Sequence, residues 1–208
     1  MTGYFVTFEG IEGVGKSTQL AALARRLRAT GREIVETREP GGTPLAEKIR
    51  DVVLESGGPV PDAAELLLMA AARAAHVTDL VRPALARGAV VLCDRYIDAT
   101  HAYQGAGRGL AAKDIDALNA VATGGLAPAL TLLFDAPVGV ALARARGRAG
   151  RADRIEAEQA AFFERARARY LERAAAEPAR ILTVDATRDE GAVAAAVWAA
   201  VAPRLGIA

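Results

Sequence analysis

Eight residues, Gly10-Ile11-Glu12-Gly13-Val14-Gly15-Lys16-Ser17, constrain this chain more than any other stretch. They fit the pattern G-x-x-x-x-G-K-[ST] at every fixed position. Glycines there let successive backbone N–H groups turn inward around phosphate oxygens. Lys16 can reach the terminal phosphates as a point charge, and the Ser17 hydroxyl can ligate an accompanying Mg²⁺. The flanks agree with the pattern. Tyr4-Phe5-Val6-Thr7-Phe8 reads as a buried strand, and Leu20, Leu23, Ala24 and Leu27 recur at helical spacing as far as Gly31. A strand, a glycine loop and a helix N-terminus, in that order, place backbone donors and the helix dipole on a bound anion. Gly10 through Thr18 are therefore the expected cradle for the phosphates of a nucleotide.

Composition narrows the class of protein. At 208 residues the chain is long enough to bury a substantial core, about 70% of its unfolded surface. No linker, charge block or repeat divides it, so residues 1–208 read as one domain. Its 26 basic and 25 acidic residues nearly cancel, which argues against a surface that coats nucleic acid. Cys93, the single cysteine, follows Ala89-Val90-Val91-Leu92 and reads as a buried thiol, excluding a disulfide framework. The N-terminus lacks a basic region, Glu9 interrupts its short apolar run, and the run from Gly191 to Pro203 is too short to span a bilayer. A cytoplasmic protein without a membrane segment is expected.

Four more strands follow by the same reading: Glu33–Thr37, Ala89–Cys93, Leu130–Phe134 and Arg180–Val184. Helices are expected between them, over Leu45–Leu54, from Asp62 with Glu65 as its capping partner, over Lys113–Ala122, over Ile155–Ala176 and over Asp189–Ala202. The Asp62 helix is apolar nearly all round and so should be covered on several sides, with Pro83 kinking or ending it. Gly105, Gly107 and Gly109 suggest a loop. Alternating strands and helices imply an α/β fold: a parallel five-stranded sheet with helices on both faces, ligands lying outside the strand C-termini.

The chemistry is expected there. Asp94, at the end of an apolar strand, is placed to organise Mg²⁺ beside Ser17. Its neighbour Arg95 suits a bidentate grip on an anionic substrate. Arg144, Arg146, Arg148, Arg151 and Arg154 fall within eleven residues broken by Gly147 and Gly150, which reads as a mobile lid over about 144–154 that neutralises transferring phosphates. His76 and His101 have no ligand or nucleophile spacing around them. A phosphate acceptor, with its second pKa about 6, needs no general base.

Four separate motifs in order resemble thymidylate kinase: Phe8-Glu9-Gly10 entering the loop, Arg38-Glu39-Pro40-Gly41-Gly42-Thr43, Asp94-Arg95-Tyr96 with Thr100 and Ala102-Tyr103-Gln104-Gly105, and Asp153-Arg154-Ile155-Glu156. The resemblance implies a P-loop kinase fold, transfer of the γ-phosphate of ATP to dTMP with Mg²⁺, and a homodimer. It places the substrate phosphate on Arg95 and Arg50, the base on Arg73 and Thr100 with Gln104 beside them, and the deoxyribose against Tyr103. It implies Glu9 near the sugar 3′-hydroxyl and the metal. Arginines after Gly147, with Glu12-Gly13 in the loop, fit the bacterial-like subgroup, giving Arg148, Arg151 and Arg154 as catalytic lid residues beside Lys16. One position departs: the family's base-stacking phenylalanine is Met69 here, a more adaptable side chain. Two rival readings share the loop: a kinase for another nucleoside monophosphate or a deoxynucleoside, and a nucleotide-dependent switch. The switch would normally carry a guanine-specifying N-K-x-D motif, and no obvious one is present.

Overall fold

The computed structural model describes residues 3–55, 58–147, 154–155 and 158–207. Five strands form one sheet: β1 (Tyr4–Glu9), β2 (Ile34–Arg38), β3 (Val90–Asp94), β4 (Leu130–Asp135) and β5 (Ile181–Asp185). They lie in the order β2-β3-β1-β4-β5 and every pairing is parallel. β1 is central, with Phe8 in register with Asp94 on one side and Leu132 on the other. The chain leaves β1 toward β2 but leaves β4 toward β5, so the connections of these adjacent strands diverge. That divergence opens a crevice at the strand C-termini, directly beyond Glu9.

Helices cover both faces. One core joins Val6, Phe8, Leu92, Leu132 and Phe134 to α1 (Lys16–Arg28) through Leu20, Leu23 and Leu27. The opposite face packs Phe5, Val91 and Cys93 against Val77, Val81 and Ala84. Between β2 and β3 run α2 (Pro44–Leu54), α3 (Asp62–His76) and α4 (Arg82–Ala86); between β3 and β4 run α5 (Ile97–Thr100) and α6 (Ala112–Thr123). α7 (Val138–Arg146) and α8 (Ala160–Ala176) lie before β5, and α9 (Glu190–Val201), capped by Asp189, closes the fold. Among the described residues, no helix is long and apolar enough to cross a membrane.

The Asp62 helix ends ahead of Pro83, as expected: α3 stops at His76, and a wide π-helical turn over Val77–Val81, in which Arg82 N donates to Val77 O, leads into α4 around the missing proline N–H. Three other local expectations give way. The glycines at 105 and 107 lie in a second π-helical turn, His101–Gly107, rather than a loop. A Cβ on Gly107 would meet the Phe162 ring at 2.5 Å, so this glycine permits close approach to α8. α8 itself begins at Ala160, with Ile155 in the preceding turn. Finally, α3 is not apolar nearly all round: its buried side mixes Leu66, Ala70 and Ala72 with polar residues. Glu65, Arg73 and His76 are buried while Leu67 is 56% exposed. The buried polar groups are tolerated because each is hydrogen-bonded, and Glu65 is part of that network rather than a cap.

Candidate active site

Two cavities meet in the crevice beyond β1 and β3. The larger, about 410 Å³, is lined by Gly13, Gly15, Lys16, Ser17 and Thr18, together with Asp94 and Arg144. The smaller, about 90 Å³, is lined by Met69, Arg73, Thr100, Tyr103, Gln104 and Ile155. Glu12, Glu39, Arg50 and Arg95 form walls of both.

The loop has the strand–turn–helix setting that its pattern demands. Gly13 takes φ 78°, and a Cβ there would collide with Ala141 O of α7, so no other residue fits. Lys16 Nζ donates to Gly10 O at 3.0 Å and Ile11 O at 2.9 Å. Its burial, with the nearby Arg95 charge, pushes the Lys16 pKa down to about 8. Ser17 Oγ donates to Asp94 Oδ2 at 2.9 Å, while Asp94 Oδ1 is buried with no hydrogen-bond partner among the described residues. Hard oxygen donors on Ser17 and Asp94 beside the loop, with Asp94 Oδ1 unsatisfied among the described residues, fit a site that would hold a divalent cation.

Arg95 joins the cavities. It is the only described non-glycine residue with positive φ, at 73°, a conformation costing about 1–2 kcal/mol. Its Nη1 donates to Gly10 O at 2.9 Å and Tyr170 Oη at 3.2 Å. Nη2 donates to Glu12 Oε1 at 2.6 Å, and the guanidinium lies 4.7 Å from the Tyr103 ring centre. Tyr103 Oη donates to Glu12 Oε2 at 2.8 Å, closing the cluster.

Arg73 is the organiser of the smaller cavity. It is 3% exposed and donates to Glu39 Oε2, Thr100 Oγ1, Asn119 Oδ1 and Tyr96 O. Glu39 in turn bonds His76, whose other ring nitrogen bonds Thr37, so His76 supports the wall from behind and lines neither cavity. Arg50 Nη1 donates to Pro40 O at 2.9 Å.

Two expected residues sit elsewhere than the motifs suggest. Glu9 lines neither cavity: it is fully buried, accepting from Tyr96 N and Tyr170 Oη, each at 2.7 Å. Burial and the Asp98 charge raise its pKa to about 8. Glu12 is the loop carboxylate that faces both spaces. Arg154 does not border the loop cavity; it donates to Val53 O at 3.0 Å and pairs with Glu65, next to Ile155 and the smaller cavity. Arg144 is the described arginine of this segment at the loop cavity, tethered to Ala186 O. Arg148, Arg151, Asp153 and Glu156 lie outside the described residues. Two polar participants were not legible as such in the sequence: Glu65 has the spacing of a helix cap, and Tyr170 lies on the buried side of α8 with Phe162, Phe163 and Ala166. A hydroxyl on an otherwise apolar α8 stripe was the available signal for Tyr170.

A family model described as Thymidylate kinase matches residues 8–197, a span running from the phosphate loop into α9. The chain belongs to the thymidylate kinase family. Among curated proteins it is 59% identical over 189 residues to the thymidylate kinase of Pseudomonas fluorescens, covering 90% of each chain. It is 55% identical over 201 residues to that of Pseudomonas entomophila, covering 95% of this chain and 94% of the relative. Among solved structures, the thymidylate kinase of Ehrlichia chaffeensis superposes with a TM-score of 0.79 at 31% identity, covering 97% of this chain and 99% of that one. The five-stranded parallel sheet is thus a thymidylate kinase fold, of the P-loop NTPase kind, and both cavities lie at its strand C-termini.

Proposed function

We propose that the chain transfers the γ-phosphoryl group of ATP to dTMP through the two cavities, the larger holding the donor and the smaller the acceptor. The observation that carries this reading is the shared wall: Arg95 and Glu12 line both cavities, so groups bound in each would meet at them. An acceptor phosphate oxygen attacks the γ-phosphorus, the bond to the β–γ bridging oxygen breaks, and ADP and dTDP leave. Catalysis of such a transfer is mostly positioning and charge neutralisation.

Each residue then has a task. The amides from Gly10 to Thr18 cradle the donor phosphates, including those of Ile11, Glu12, Gly13, Val14 and Gly15. Lys16 moves from its carbonyl partners to the transferring group. Ser17 and Asp94 would hold Mg²⁺, which would supply neutralisation of the donor phosphates' charge when bound. Arg95 and Arg50 bind the acceptor phosphate. Arg73, Thr100 and Gln104 face the base, with Met69 packing on its ring, and Tyr103 fills the space beside the sugar. Glu12, rather than Glu9, is the carboxylate at the sugar and metal side. Arg154 closes the acceptor side, and Arg148 and Arg151 supply the remaining lid charge.

The same reading makes the protein a cytoplasmic homodimer. α2, α3 and α6 carry the exposed apolar side chains Val52 (54%), Leu67 (56%) and Val121 (83%), which a second copy would cover. Turnover of ATP by purified protein with dTMP, dUMP, dCMP, dGMP and thymidine tests the function. Fastest phosphorylation of dTMP is expected; preference for thymidine or a purine monophosphate would overturn it.

A further inference from the structure

Glu65 projects from the buried face of α3 and is 1% exposed at its side chain. Its Oε1 accepts from Gln104 Nε2 at 2.7 Å, and its Oε2 takes Arg154 and, at 3.4 Å, Arg108. Burial opposes its ionisation, but bonds from Arg154 and Gln104 and the Arg108 charge outweigh burial and hold the carboxyl below its usual range. An ionised carboxylate has acceptors only. Gln104 must therefore turn its NH₂ toward Glu65, which settles an amide orientation that is otherwise free to flip. Gln104 lines the smaller cavity, and among the described residues no group donates to its Oε1. Arg73, across the same space, places four of its five N–H donors on acceptors among the described residues, and the fifth has no acceptor among them.

On the side where Gln104 and Arg73 line it, the cavity thus offers an acceptor, Gln104 Oε1, beside a donor, the remaining Arg73 N–H. Thymine and uracil carry a hydrogen on N3 beside the O4 acceptor, whereas cytosine presents an unprotonated N3 beside an amine. We infer that Glu65 is a positioning residue for base selection: by fixing the Gln104 amide with its oxygen toward the cavity, it favours a pyrimidine bearing N3–H and rejects cytosine. This rests on the proposed binding of the dTMP base in the smaller cavity. A site built around one hydrogen-bonding pattern rejects the opposite pattern because its polar groups are then left opposed or unpaired.

Measuring kcat/KM for dTMP and dCMP in the wild type and in E65Q, R154A, Q104A and the double variant E65Q/Q104A tests it. In E65Q the neighbouring amide can accept as well as donate, so Gln104 is free to flip, and the dTMP/dCMP ratio is expected to fall about tenfold or more. R154A, which removes the other large partner of Glu65, should lower both substrates in parallel and keep the ratio. On the Q104A background, E65Q should change the ratio no further, since it acts through that amide. A wild-type ratio in folded E65Q, or an equal drop with and without Gln104, overturns the inference. Should E65Q fail to fold, Q104A carries the same prediction, and an unchanged ratio there overturns it equally. Absence of dTMP turnover by the wild type would instead remove the proposed function on which it stands.

Discussion

Arg95 Nη2 lies 2.6 Å from Glu12 Oε1, so the residue just past β3 is bolted to the phosphate loop that leaves β1. Tyr103 completes the clamp through the other Glu12 oxygen and through its ring. A lysine could keep the charge at position 95 but not the two-pronged contact with Gly10 O and Glu12. Arg95→Lys is expected to lower kcat/KM for dTMP by about 10²-fold while leaving the KM for ATP within a few-fold. Steady-state kinetics with each substrate varied separately would show it, and an unchanged dTMP dependence would remove Arg95 from the acceptor side.

The backbone at Arg95 supplies a second test. Arg95→Gly and Arg95→Ala delete the same contacts, but only glycine accepts φ 73° without strain. The glycine variant should be more stable than the alanine variant by about 1 kcal/mol, with both inactive. Denaturant unfolding of the pair measures this difference directly; equal midpoints would mean the conformation costs nothing.

Lys16, held near a pKa of about 8 by burial, loses its charge as pH rises through that value in the free enzyme. Since kcat/KM reports free enzyme, kcat/KM for ATP should fall on the alkaline side of about pH 8. Bound triphosphate favours the charged lysine, so kcat at saturating ATP should hold to higher pH. Lys16→Ala should abolish turnover across the range. Parallel pH profiles for kcat and kcat/KM would contradict the assignment.

Glu9 has a folded pKa of about 8 against a usual 4.5, so the native state retains its proton where the unfolded chain has released it. Stability from this group is fully present below about pH 4.5 and declines as pH climbs to about 8. Glu9→Gln imitates the protonated form. The melting-temperature advantage of that variant over the wild type should therefore widen from pH 5 to pH 8. A constant or narrowing gap would indicate an ionised Glu9.

Met69 borders the acceptor cavity but presents an adaptable thioether where a flat ring would define the space. Met69→Phe should lower the KM for dTMP by a few-fold, with kcat less affected. An equal or higher KM would place Met69 away from the base.

The sheet was readable because its strands are unbroken apolar runs. Val90–Cys93 and Leu130–Phe134 are buried on both faces and admit few other arrangements. Pattern reasoning faltered where a polar residue is buried among bonding partners distant in sequence. Glu65, three residues after Asp62, has the spacing of a helix cap, yet its partners are Gln104, Arg108 and Arg154, which only tertiary structure brings near. Glu9 and Glu12 are three residues apart, and no local signal says that one turns into the core while the loop's curvature swings the other into the crevice. Arg154 stood within a dense arginine cluster, but Val53 O and the Glu65 carboxylate draw it to the acceptor side.

Glu12, Glu39, Arg50 and Arg95 belong to the walls of both cavities. Any nucleotide that rearranges those four groups on one side alters what its counterpart meets on the other. Linkage then requires that the two affinities change by one common factor, whichever molecule arrives first. A wall shared in this way would make the enzyme's two occupants each other's effectors, with no separate regulatory site required.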